Sequence, residues 1–255
     1  MIFYFSATGN SKYVATKIAT ELKEDIISIT ECIRNTEFAF SIKENEKCGF
    51  VTPTYFWGLP IIVNDFLEKL ELQIPESCSP YIFHIVTYGT TTGQASYMLN
   101  NYLKKKGLSL SGRFSVQMPD TWTPVFNLSN REKVGKINQS AEKRINETSE
   151  QVKQGFIGDF SKKRVPLLAA NICYGLYEKK RKTKNFKVEE SCIGCGLCAK
   201  QCPIAAINMQ AKIPMWINEK CTLCLGCLHH CPKFAIQYGR NTKKHGQYVN
   251  PNVKI

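Results

Sequence analysis

Eight of the twelve cysteines crowd between Cys192 and Cys231, in two runs of one pattern. Cys192-x2-Cys195-x2-Cys198-x3-Cys202-Pro203 is followed 29 residues later by Cys221-x2-Cys224-x2-Cys227-x3-Cys231-Pro232, and each run leads into Ala-Ile, at Ala206-Ile207 and Ala235-Ile236. Disulfide frameworks belong to small secreted domains, whereas crowded thiols in a longer chain without an export signal point to metal. Tetrahedral zinc commonly takes its four ligands from two separated C-x2-C pairs. Three thiolates at successive three-residue steps instead wrap one corner of a 4Fe–4S cubane, and its fourth ligand comes from elsewhere. In such runs the fourth Cys serves the other cluster. That assigns Cys192, Cys195, Cys198 and Cys231 to one 4Fe–4S cluster and Cys221, Cys224, Cys227 and Cys202 to a second. Cys32, Cys48, Cys78 and Cys173 are scattered.

A second constellation lies near the start of the chain. The apolar run Ile2–Phe5 leads through Ser6-Ala7-Thr8-Gly9-Asn10-Ser11 directly into a helical pattern ending at Leu22. Small hydroxyls and free backbone N–H groups there converge on the positive end of a helix, an arrangement that suits a phosphate monoester. It is neither a Walker loop, since no Gly-Lys-Ser/Thr follows, nor a G-x-G-x-x-G dinucleotide fingerprint. Two later strand ends are specialised as well. One carries aromatics, Pro53-Thr54-Tyr55-Phe56-Trp57-Gly58, and the other hydroxyls and glycines, Thr87-Tyr88-Gly89-Thr90-Thr91-Thr92-Gly93. In an open α/β sheet such loops meet outside the carboxyl ends of the strands near the switch point. A phosphate cradle beside aromatic platforms describes a site for flavin mononucleotide (FMN).

Ser6, Thr8, Gly9, Asn10 and Ser11 fall on the pattern hydroxyl-x-Thr-Gly-Asn-Ser/Thr, and on this motif residues 1–155 resemble a flavodoxin. The resemblance implies that these five residues bind the FMN phosphate. It also implies that Tyr55–Gly58 and Thr87–Gly93 flank the isoalloxazine, with Trp57 or Tyr88 as the stacking ring. The chain departs from flavodoxins in lacking their acidic surface and the acidic residues of their last flavin loop, so their usual partners and flavin potential are not implied. Residues 186–238 resemble a bacterial-type two-cluster ferredoxin. The whole is similar to the flavodoxin/ferredoxin fusion oxidoreductases of anaerobes.

Positioning these groups takes two kinds of framework. Up to residue 155, short apolar runs alternate with helical patterns, the signature of a parallel sheet covered by helices. Strands are expected at Ile2–Phe5, Ile26–Ile29, Gly49–Thr52, Tyr81–Thr87 and Leu108–Val116. Pro60 opens a helix, Gly107 closes one, and Ser129 with Glu132 makes a capping box for a helix that Gly155 ends. The resemblance implies a flavodoxin-like, doubly wound five-stranded parallel sheet of order 2-1-3-4-5. The fold class is thus α/β with a second, small α+β ferredoxin-type domain. The divisions expected are 1–155 for FMN, 156–185 as a basic linker, 186–240 for the clusters and 241–255 as a basic tail.

Charge follows the same division. Residues 1–155 hold 17 Lys and Arg against 16 Asp and Glu, and residues 156–255 hold 17 against 5. A basic surface of this kind fits an acidic redox partner protein or an anionic small-molecule donor or acceptor. Nucleic acid is not expected, because no binding motif accompanies the lysines. Residues 161–184 frame a short apolar segment with basic runs; packing between the domains is the simpler reading, and contact with an anionic membrane surface the alternative. No apolar run spans a bilayer and no signal peptide is recognisable, so a cytoplasmic protein is expected. His229 and His230 read as surface spacers with some hydrogen bonding and His84 as a core residue; Trp122, after the fifth strand, could line the cleft of the FMN site, core packing being the simpler reading. No acid/base pair stands out. The function expected is electron passage between FMN and two 4Fe–4S clusters, in an oxidoreductase of unassigned substrate. The alternatives are a pure electron carrier and a flavin-free iron–sulfur sensor or assembly protein.

Overall fold

The computed structural model describes residues 1–75 and 79–254; Cys78 lies outside them. The first part runs β1 (Ile2–Tyr4), α1 (Asn10–Leu22), β2 (Ile26–Ser28), α2 (Ile29–Asn35), β3 (Ala39–Ser41), β4 (Cys48–Pro53), α3 (Ile61–Lys69), β5 (Glu71–Gln73), β6 (Ile82–Tyr88), α4 (Ala95–Lys104), β7 (Gly112–Gln117) and α5 (Arg131–Lys153). The strands expected from the apolar runs pair in parallel in the order β2-β1-β4-β6-β7, the 2-1-3-4-5 arrangement. A two-residue strand, β8 (Gly158–Asp159), extends the sheet beside β7, and β3 pairs separately with β5. Both additions lack the apolar run that announces a strand.

Neighbouring residues of one strand point to opposite faces, and both faces of this sheet are dry, as parallel sheets require. Phe3, Phe50 and Val86 join Phe66, Leu67 and Leu99 beneath α3 and α4. Ile2, Val51 and Ile85 join Val14, Ile18 and Ile145 beneath α1 and α5. The cap of α5 is Asn130, whose Oδ1 accepts from Lys133 N at 2.9 Å. This corrects the reading of Ser129 as the capping residue; two adjacent residues of cap-forming type leave the frame open by one.

His84 is buried in β6, with Nε2 2.9 Å from Thr52 Oγ1 and Nδ1 2.9 Å from Ser96 Oγ. Burial pushes its pKa down from 6.5 to about 3. The unfolded chain therefore takes up a proton below pH 6.5 that the folded chain refuses. Stability from this group is complete above pH 6.5 and is lost as pH falls toward 3. In anaerobic chaotrope titrations, His84→Gln is expected to unfold with a shallower pH dependence between 4.5 and 6.5 than the parent. Parallel curves would contradict it.

The second part runs α6 (Leu167–Lys180), a 3-10 turn (Thr183–Asn185), β9 (Phe186–Val188), α7 (Leu197–Lys200), β10 (Ile207–Gln210), β11 (Ile213–Trp216), α8 (Gly226–His229), β12 (Ile236–Tyr238) and α9 (Thr242–His245). Two antiparallel pairs, β10-β11 and β12-β9, frame it. The stretch 156–185 is no plain tether. Tyr177 of α6 is fully buried, its hydroxyl donates to Thr222 O, and Tyr174 donates to Leu59 O at 2.7 Å. Leu168, Ile172 and Leu176 remain exposed on the other side of that helix. Phe56 stacks on Tyr177 at 5.2 Å, and Tyr55, Phe56, Ile61 and Trp122 complete a core with Leu223, Leu225 and Leu228. Both halves of the chain therefore share one apolar cluster. Among the described residues no helix is long and apolar enough to cross a membrane.

Candidate functional site

The loop between β1 and α1 is built to present donors. Gly9 stands before α1 with φ +94°, a conformation that disfavours any residue with a Cβ. Its N–H donates to Ser6 Oγ at 3.1 Å. Among the described residues, the N–H groups of Ala7, Thr8, Asn10 and Ser11 donate to no protein acceptor. Unpaired donors at the start of a 13-residue helix form an anion site. Ser11 Oγ lies 2.7 Å from Thr87 Oγ1, fastening this loop to the end of β6.

A cavity of about 300 Å³ opens beside it. Ser6, Thr8, Asn10 and Ser11 line one side, Pro53–Trp57 a second, and Thr87, Tyr88 and Gly89 a third. Thr91 also lines the wall, and its Oγ1 is buried without a hydrogen-bond partner. Four expected site residues shape the loops without lining the cavity. Gly9 is the helix cap. Gly58 closes a tight turn with Tyr55, their N–H and C=O groups paired at 2.8 and 2.9 Å, while Phe56 and Trp57 take positive φ. Gly93 passes so close that an added Cβ would stand 2.2 Å from Trp57 O. Thr92 donates to Lys162 O at 3.0 Å and lines a different hollow.

The aromatics divide in the same way. The rings of Tyr55 and Phe56 are engaged with Phe5, Trp122 and Tyr177 in the core between the halves. Trp57 and Tyr88 also line the cavity and pack on no other ring among the described residues. Trp122 does both things its position allows, packing in the core between the halves and lining the cavity. Asp120 lines the cavity too and is the group that sequence reasoning missed: burial pushes its carboxyl up to about 6, although Oδ1 accepts from Trp122 N at 3.0 Å. Its place after the carboxyl end of the fifth sheet strand was the available signal.

The cysteines gather as two quartets. Cys192, Cys195, Cys198 and Cys231 line one small cavity, and Cys202, Cys221, Cys224 and Cys227 line another. Among the described residues no three His, Cys, Asp or Glu side chains are arranged to hold a single metal ion. Backbone N–H groups aim at the sulfurs: Ala206 at Cys202 Sγ (3.2 Å), Ala235 at Cys231 Sγ (3.3 Å) and Leu223 at Cys221 Sγ (3.3 Å). The repeated Ala of the two runs is thus the donor to each fourth Cys. Burial pushes the Cys221 thiol up to about 11 and Cys224 up to about 12. Without a cation these sites hold thiols, and a metal centre must displace their protons. The runs differ at equivalent left-handed positions: Gly194 and Gly196 in the first, Leu223 and Leu225 in the second.

The second quartet and the large cavity touch, because Leu223 and Cys224 form part of that cavity's wall. Two histidines brace this junction. His229 is buried; Nδ1 accepts from Tyr248 N at 3.2 Å, so Nε2 carries the hydrogen given to Thr121 O at 2.8 Å. His230 Nε2 donates to Ala7 O at 2.9 Å. Burial lowers both pKa values, His229 to about 4. Burial of His229 corrects its reading as a surface spacer, and the hydrogen bonds expected of the pair go to partners 108 and 223 positions away.

A family model described as flavodoxin domain matches residues 1–148, and one described as 4Fe-4S dicluster domain matches residues 191–236. Among curated proteins, a subunit of the ion-translocating oxidoreductase complex of Methanosarcina acetivorans is 43% identical over 49 residues, which are 19% of this chain and 19% of that protein. An uncharacterized polyferredoxin-like protein of Methanocaldococcus jannaschii is 40% identical over 62 residues, covering 19% of this chain and 37% of that protein. The chain spans well under half the length of these relatives. A solved flavodoxin from the domain Archaea shares 14% identity at TM-score 0.32, over 60% of this chain and 96% of that one. The rubredoxin oxygen:oxidoreductase of Desulfovibrio gigas shares 15% at TM-score 0.33, over 57% and 35%.

Proposed function

The chain belongs to the flavodoxin-domain family, and we propose that it is an iron–sulfur flavoprotein passing electrons between FMN in the large cavity and two 4Fe–4S clusters on the eight cysteines. The observation that carries this reading is the shared wall. Cys224 belongs to one cysteine quartet and to the cavity that Ser6, Thr8 and Trp57 line. When bound, FMN supplies two-electron chemistry that can be divided into single steps, and the clusters supply one-electron steps. The chain's own groups hold and tune. The open N–H groups of Ala7, Thr8, Asn10 and Ser11 suit a phosphate, and Asp120 can hold a proton near neutral pH inside the cavity. N–H donors on Cys202, Cys221 and Cys231 and the surrounding lysines favour more negative, reduced clusters. A reducing compartment such as the cytoplasm suits the thiols.

The same basic excess supports a second reading, a carrier that docks to a larger redox partner, and a relative named as part of an oxidoreductase complex agrees with it. The deciding measurement is an anaerobic absorption spectrum with iron, sulfide and acid-released flavin assays on one sample. We expect about eight iron, about eight sulfide and about one FMN per chain. Full iron with no flavin, even after FMN is added, would remove the flavin half of the proposal and favour a sensor or assembly protein.

A further inference from the structure

Beyond α9 the chain turns at Gly246 (φ +82°) and runs back across the start of α1. Tyr248 and Asn250 are buried there, at 4% and 2% exposure. We propose that residues 247–254 are a strap that sets the phosphate loop for an anion, with Tyr248 and Asn250 as positioning residues that favour FMN over riboflavin. The inference rests on the FMN reading above and adds residues far from the loop motif.

The strap takes up the loop's acceptors. Asn250 N donates to Thr8 O at 2.8 Å. Asn250 Nδ2 donates to Asn10 Oδ1 at 3.1 Å, and the Tyr248 hydroxyl, 3.1 Å from both Asn10 Oδ1 and Asn138 Oδ1, shares its single hydrogen between them. One Asn10 Nδ2 hydrogen reaches Pro119 O at 3.2 Å. The Asn10 carboxamide is therefore tied through its oxygen to the strap and through one hydrogen to Pro119, and these contacts orient the loop. Left unpaired, Thr8 O and Asn10 Oδ1 would present lone pairs where a phosphate needs donors. With these lone pairs occupied, the open N–H groups of Ala7, Thr8, Asn10 and Ser11 dominate the loop's field.

Three further contacts hold the strap in register. Val253 packs into the core beneath α1, Lys12 Nζ donates to Lys254 O at 2.7 Å, and Asn250 Cβ sits so near Gly9 that an added Cβ there would be 2.8 Å away. At the other end, Gln247 Nε2 donates to Leu228 O and Cys231 O at 2.6 and 2.9 Å. The strap thus links the end of the second cysteine run to the loop.

The test titrates flavin-stripped, cluster-loaded protein with FMN and with riboflavin, following quenching of flavin fluorescence under anaerobic conditions. The variants are Asn250→Ala and the milder Tyr248→Phe. Each is expected to weaken FMN binding about tenfold or more while riboflavin binding changes less than about threefold, so that discrimination between the two collapses. Iron content and melting temperature on the same samples verify an intact fold, and Tyr248→Phe keeps the ring if Asn250→Ala fails that check. Equal losses for both flavins would mark the strap as general scaffolding and overturn the proposal, as would unchanged FMN affinity. Parent protein that binds neither flavin would overturn the FMN reading itself, a failure visible before any variant is made.

Discussion

Cys231→Ser is expected to halve the iron, from about eight to about four per chain, and to empty the centre of the first cysteine run although Cys231 belongs to the second. The reason is spatial: Cys231 shares its cavity with Cys192, Cys195 and Cys198, while Cys202 crosses the other way to Cys221, Cys224 and Cys227. Double variants expose the crossing through non-additivity. Cys192→Ser with Cys231→Ser removes two ligands of one centre and should cost no more iron than either change alone. Cys221→Ser with Cys231→Ser strikes both centres and should leave almost none. Iron and sulfide assays on anaerobically purified protein decide it. Depletion that follows the sequence runs instead would refute the crossed assignment.

Thr8→Asp is expected to lower FMN affinity by about a hundredfold or more with iron unchanged. Thr8 is buried in the loop whose free N–H groups form the anion cradle. A carboxylate of nearly the same size would sit there in the place of the ligand's charge. Repulsion between an anion and a phosphate at such range, in a partly desolvated site, amounts to several kcal/mol, about 1.4 of which is tenfold in affinity. The fold should tolerate the change, since a negative group near a helix start is favourable. FMN titration beside an iron assay reads both halves of the statement. Undiminished FMN binding would show that the phosphate is held elsewhere.

Much of this site was legible in sequence because its signals are local. Cysteine spacing is covalent arithmetic, and the runs that form β1, β4 and β6 are apolar enough to be read as strands whichever partners they find. The loop proposed above to hold a phosphate follows one strand and opens one helix, so its donors are implied by local geometry. What stayed hidden depends on distant partners. His229 and His230 look like spacers until Thr121 and Ala7 arrive beside them. Tyr248 and Asn250 sit in a basic, aperiodic stretch whose only hint was an aromatic and an Asn-Pro step among lysines. β8 has two residues and nothing apolar, and its pairing with β7 comes from the sheet edge alone.

The two cysteine runs are copies in sequence and unequal in surroundings. Cys195 of the first quartet is exposed, beside an exposed Ile193, whereas Cys224 of the second stands in the wall of the large cavity. The glycines of the first run become buried leucines in the second, held in a left-handed conformation that costs each of them about 1 kcal/mol or more. That cost is tolerated where the side chains fill the core between the halves. Duplication has thus been given a polarity. On the reading proposed above, the molecule is a short wire with an outer port where a docking protein could exchange electrons and an inner terminal at the flavin, and its two ends cannot be interchanged.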